Sequence, residues 1–120
     1  MASVEPGQLI LVNGRRNGWS RPVALPEDVD EPSTEKARGV VTLPPHLFWS
    51  RAGKSWDLRD RGQRLQVYEI VLTEGTDDDV RRFIDLDELI DLWDDLWLPD
   101  HVRQAWARHL HRLMGVDLEC

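Results

Sequence analysis

Between Arg61 and Met114 the apolar residues of this chain recur every three or four positions, a spacing that gathers them on one side of an α-helix and scatters them over both faces of a strand. Leu65, Tyr68, Val71 and Leu72 predict a first helix from Arg61 or Gly62 to Glu74, with Gly75 as its stop. Thr76 is a good N-cap for a short second helix. Asp77, Asp78 and Asp79 then fall in its first turn, where the positive end of the helix dipole favours negative charge. A divalent-metal site is the weaker reading of that triplet, because successive helical residues point in different directions and no calcium-loop spacing follows. Asp85 caps a third helix, and Glu88 three residues on comes close to completing a capping box. Leu86, Leu89, Ile90, Trp93, Leu96 and Trp97 form its apolar stripe. Pro99 suits the first turn of a fourth helix, whose apolar side is Val102, Ala105, Trp106, His109, Leu110 and Leu113 before Gly115 ends it. Four helices with short connections predict a mainly α fold, a small orthogonal four-helix module.

The residues ahead of the helices read differently. Pro6, Pro22, Pro26 and Pro32, the acidic stretch Glu27 to Glu31 and a single apolar cluster leave little to offset the entropy of ordering. Within them, Leu9 to Val12 followed by Asn13-Gly14 resembles a short strand entering a turn. The expected organisation is an N-terminal arm over residues 1–38, largely extended, partly disordered and able to hold one short strand, then a helical domain over residues 39–120. Leu43-Pro44-Pro45 forms a rigid lead-in, and Leu47, Phe48 and Trp49 supply an apolar knob expected to plug the core.

At 120 residues the chain is long enough for one modest domain. Its only cysteine is Cys120, so no intrachain disulfide or thiolate metal site is expected, and a reducing, cytoplasmic setting is the simplest reading. The longest aliphatic run, Leu9 to Val12, falls far short of the roughly 20 residues a membrane helix needs, so no membrane partner is expected.

Nothing in the chain spells out catalysis. His46, His101, His109 and His111 form no paired helical zinc spacing, Ser20, Ser33, Ser50 and Ser55 lack a glycine-flanked nucleophile elbow, and no glycine-rich phosphate loop occurs. Adjacent carboxylates such as Asp94 and Asp95 do not face each other on a helix. The expectation is a protein that is not an enzyme and uses no metal or cofactor.

The charge is more informative. The formal net charge is −7, and between Thr76 and Asp100 ten acids stand against Arg81 and Arg82 alone, an excess of eight. The outer face of the third helix, Asp87, Glu88, Asp91, Asp94 and Asp95, has no basic residue among it. The last helix carries Arg103, Arg108 and Arg112. Two readings follow: the two helices complement each other, or the acidic face steers a basic protein into contact. On the second, the partner-binding candidates are Asp87, Asp91, Asp94 and Asp95, with Trp97 as an aromatic anchor. The alternative is a helix-turn-helix DNA-binding regulator using Arg103, Arg108 and Arg112, although its recognition helix would carry five acids towards phosphates.

The run Leu43-Pro44-Pro45-His46-Leu47-Phe48-Trp49, the segment Val67 to Thr76, the acidic helix, and Leu98-Pro99 ahead of Val102 to Trp106 together resemble a family of small bacterial proteins. Such proteins are often encoded beside nucleotidyltransferase-like toxins of the AbiEii abortive-infection type. The resemblance covers roughly residues 41–113 and supplies no catalytic residues. It implies an antitoxin whose partner is a basic, nucleotidyltransferase-fold toxin, with DNA a secondary partner through autorepression.

Overall fold

Each helix begins at a side chain able to hold otherwise unpaired amides, except the last. In the computed structural model, which describes residues 22–30, 32, 35–47 and 54–119, helix α1 (Arg61–Glu74) starts where the Asp60 carboxylate accepts the Gln63 amide at 2.9 Å. It buries Val67, Tyr68, Val71 and Leu72. Gly75 ends it, though not by the left-handed turn that glycine commonly supplies, since its φ is −75°. A Cβ at Gly75 would lie 2.5 Å from the Val71 carbonyl oxygen, so the close approach of backbone is what requires glycine there.

Helix α2 (Asp77–Phe83) has a complete capping box: Thr76 Oγ1 accepts the Asp79 amide at 3.2 Å, and Asp79 Oδ2 accepts the Thr76 amide at 2.9 Å. The aspartate triplet therefore divides its labour. Asp77 and Asp78 are exposed at the dipole's positive end, while Asp79 turns inward and also meets His46 Nε2 at 2.7 Å, tying the turn at residues 44–47 to the helix.

Helix α3 (Leu86–Leu92) is capped by Asp85, whose carboxylate accepts the Glu88 amide at 3.1 Å. The box is not completed by Glu88. The Asp85 amide instead donates to Tyr68 Oη at 3.0 Å, and the Glu88 carboxylate sits 3.3 Å from Arg64 Nε. The third helix is also shorter than its apolar stripe predicts. It passes into a 3-10 turn, Trp93–Asp95, and the chain is extended from Leu96. Proline disfavours helix in the residue before it, here Leu98, and Arg103 of α4 (Asp100–Met114) donates to the Trp93 carbonyl at 3.3 Å and to that of Leu96. The guanidinium thus satisfies the Leu96 carbonyl and joins the Leu96 amide as a second donor to that of Trp93. Helix α4 ends at Gly115, whose φ of +71° is the left-handed conformation that favours glycine.

Two three-residue strands, β1 (Val40–Thr42) and β2 (Ser55–Asp57), pair antiparallel with Val41 opposite Trp56. They are too short to show an alternating pattern, and neither is predicted by the residues alone. The strand expected at Leu9 to Val12 lies outside the described residues, as do Phe48 and Trp49 of the expected knob. Leu43 and Leu47 of the same run are buried.

The fold is mainly α, and its core draws on all these elements together with residues ahead of the sheet. Val29 is 0% exposed, and Val23, Ala24 and Leu25 pack partly buried against the helices. Polar ties hold this stretch in place. Lys36 Nζ donates to the Arg81 carbonyl at 2.7 Å and to that of Val29, and Arg81 Nε meets Asp28 at 2.9 Å. These few apolar residues cannot make a core by themselves, but they complete one that the helices already offer.

Burial pushes the Asp79 carboxyl up, but the Thr76 amide, the His46 ring and the Thr76 hydroxyl outweigh it and hold the group below the usual carboxylate range. Its contribution is complete above the unfolded aspartate value of about 3.9 and is lost as pH falls through the lower folded value. Asp79→Ala is expected to destabilise the fold by about 1 kcal/mol at neutral pH. Urea denaturation should show that deficit shrinking as the pH is taken below about 4.

A candidate protein-docking surface

Helix α3 turns Leu86, Leu89 and Leu92 inward, and helical geometry then leaves Asp87 and Asp91 outside, with Asp94 and Asp95 exposed on the following turn. The four candidate carboxylates therefore share one side of the molecule but differ in their partners. Arg61 bridges two of them, with Nη1 3.1 Å from Asp91 Oδ2 and Nη2 2.8 Å from Asp95 Oδ2. Asp87 and Asp94 have no ion pair among the described residues. The complement to the acidic face thus comes from the first turn of α1, through Arg61 and Arg64, rather than from the last helix. The pairs around Arg61 are solvent-exposed, so they stabilise little and are screened by salt.

Trp97 lies beside this face in an unusual setting. It is 79% exposed, while Leu96 and Leu98 on either side are buried in the core. The alternation is that of an extended segment: with the chain out of helix, neighbouring side chains point in opposite directions. The Trp97 amide donates to Glu69 Oε2 of α1 at 2.7 Å, which holds the backbone in place while the indole stands in solvent. The other large hydrophobic groups exposed among the described residues, Val40 and Met114, are both smaller and less exposed.

The three arginines of α4 are not equivalent. Arg103 is partly buried, occupied by the two carbonyls and stacked 4.8 Å from the Trp93 ring centre. Arg112 lies 3.3 Å from Glu27 and donates to His109 Nδ1 at 2.6 Å. Because guanidinium can only donate, His109 Nδ1 must accept. The opposite nitrogen Nε2 therefore carries the hydrogen that it donates to the Pro26 carbonyl at 2.7 Å. A fully buried histidine thus joins α4 to the residues ahead of the sheet. Arg108 alone is exposed and without a partner among the described residues.

Among the described residues no three His, Cys, Asp or Glu side chains converge as metal ligands, and no helix is long and apolar enough to cross a membrane. His46 pairs with Asp79 and His111 with Asp117, each a two-residue contact.

Arg103→Ala is expected to destabilise the fold by about 2 kcal/mol, because it removes the donor to the Leu96 carbonyl, weakens the bonding of the Trp93 carbonyl and uncovers the Trp93 ring. Arg108→Ala should change stability by less than about 0.5 kcal/mol. Equilibrium denaturation of the two variants checks the contrast. No protein-family model, curated protein or solved structure matches the chain.

Proposed function

We propose that this chain is an antitoxin-like binding protein that neutralises a nucleotidyltransferase-type toxin in the bacterial cytoplasm by direct protein–protein contact. Its helices would form a small orthogonal module presenting Asp87, Asp91, Asp94 and Asp95 to a basic surface, with Trp97 as the anchor. The observation that carries this reading is Trp97, a 79% exposed indole whose backbone is fixed by Glu69 next to an acidic face. Aromatic side chains of this kind concentrate binding energy at interfaces, and flanking carboxylates raise the rate at which a basic partner arrives. The resemblance of residues 41–113 to proteins encoded beside such toxins supports the same partner, since an enzyme that handles nucleotides or RNA presents basic clefts.

The helix-turn-helix alternative draws less support from the geometry. Two of its three candidate cations are already engaged by groups of the chain itself, Arg103 by backbone carbonyls and Arg112 by His109 and Glu27, and α3 in the recognition position would bring its carboxylates against phosphates.

Co-expression with the neighbouring gene product, scored for host growth and co-purification, tests the proposal. Growth rescue with a stable complex is expected, and a neighbour that neither associates nor loses its toxicity sinks the reading. Trp97→Ala should weaken the complex about 30-fold or more, mainly through faster dissociation. Asp94→Lys should instead slow association, and the effect should fade as salt is raised.

A further inference from the structure

A cleft of about 230 Å³ lies between residues 36–39, the start of α1 and the α2–α3 junction, and none of Asp87, Asp91, Asp94, Asp95 and Trp97 lines it. Its walls are drawn together by hydrogen bonds between separate segments. Ala37 donates to the Arg82 carbonyl at 2.8 Å, Leu58 to that of Gly39 at 2.8 Å, and Arg64 Nη1 to that of Leu58 at 3.0 Å. The lining combines apolar groups, Ala37, Leu58, Phe83 and the Tyr68 ring, with four cations, Lys36, Arg38, Arg59 and Arg64, against two acids, Asp85 and Glu88. In a chain of net charge −7 that polarity is unexpected.

Two of the lining cations are already committed. Arg59 forms a forked pair with Asp57 at 2.9 and 3.1 Å, and Lys36 Nζ serves backbone carbonyls. The other two are not fully used. Arg38 has no partner among the described residues. Arg64 leaves Nη2 without one, and its buried Nε stands 3.3 Å from Glu88 without the alignment of a hydrogen bond. Tyr68 Oη accepts the Asp85 amide, and its own hydrogen has no acceptor among the described residues. Burial pushes the Tyr68 phenol well above its ordinary value, so at neutral pH that hydrogen stays in place. Phenol and guanidinium groups with donors to spare, bordering an apolar wall, suit a ligand that is both anionic and apolar.

The geometry points to a binding site in this cleft for a small organic carboxylate with an apolar body, its carboxylate taken by Arg38, Arg64 and the Tyr68 hydroxyl, its body against Leu58 and Phe83. Size agrees with that class. An apolar cavity of about 150 Å³ accommodates benzene, so the larger cleft holds one ring and a carboxylate. The acids that border it do not forbid an anion: Glu88 lies against Arg64, and the Asp85 carboxylate is turned to the Glu88 amide.

Titration of the full chain with sodium benzoate, followed by amide chemical shifts at constant ionic strength, tests the site, with benzamide as the neutral isostere. The expected result is saturating shifts at Gly39, Leu58 and Arg64 with benzoate and much weaker ones with benzamide. Arg38→Gln, at an exposed position without a partner among the described residues, should weaken benzoate about five-fold or more, while Arg108→Gln on α4, away from the cleft, should leave it unchanged. Shifts that do not saturate, equal binding of benzamide, or unaltered benzoate binding by Arg38→Gln would overturn the proposal.

Discussion

Trp93 sits 1% exposed where α3 gives way to its 3-10 turn, under the Arg103 guanidinium and with its indole N–H donating to the Glu119 carbonyl at 2.8 Å. One side chain thereby joins α3, α4 and the C-terminal residues, and the consequences run outward from it. Burying a large aromatic costs less when its polar nitrogen finds an acceptor, and for Trp93 the chain after α4 supplies one. The cation above its ring is the same one that donates to the Trp93 and Leu96 carbonyls, so ending α3 early and packing Trp93 are a single arrangement. That early end puts residues 96–98 into extended conformation, and extended conformation is what sends Leu96 and Leu98 inward and Trp97 outward.

The acidic face follows a related logic. Ten acids in one stretch would repel one another badly if left alone, yet Arg61 and Arg64 reach across from α1 to three of them. On this face Asp87 and Asp94, without an ion pair among the described residues, are exposed to solvent, which screens their charge. A partner with basic side chains would therefore meet a surface already partly neutralised, where Arg61 competes for Asp91 and Asp95. Attraction is moderated without being abolished, which favours a specific docked pose over indiscriminate binding to cations.

Much of the helical architecture was readable from residues alone because its signals are local. Thr76 and Asp85 cap where they were expected to, Gly75 and Gly115 stop helices, and Pro99 starts one. The reasons were less readable than the positions. Gly75 is needed for a steric approach rather than a left-handed turn, and Glu88 does not complete the capping box because the Asp85 amide donates to Tyr68 Oη while the Glu88 carboxylate lies against Arg64. The acidity of the α3 face and the oddity of the Leu96-Trp97-Leu98 run could both be seen in advance. Which of the three residues faces solvent could not, since a continued helix would have placed Trp97 on the buried stripe.

Sequence by itself determined the number, order and approximate limits of the helices, along with their charge, because periodicity, caps and breakers act within a few residues. Tertiary structure alone decided that Arg61 neutralises carboxylates 30 and 34 positions away, that Val29 completes the core, and that β1 pairs with β2. It also decided that donors from Arg38, Arg64 and Tyr68 border one cleft. Each of those outcomes depends on groups distant in the chain meeting in space. Their pairing energies exist only after the helices have packed, so no local pattern carries them.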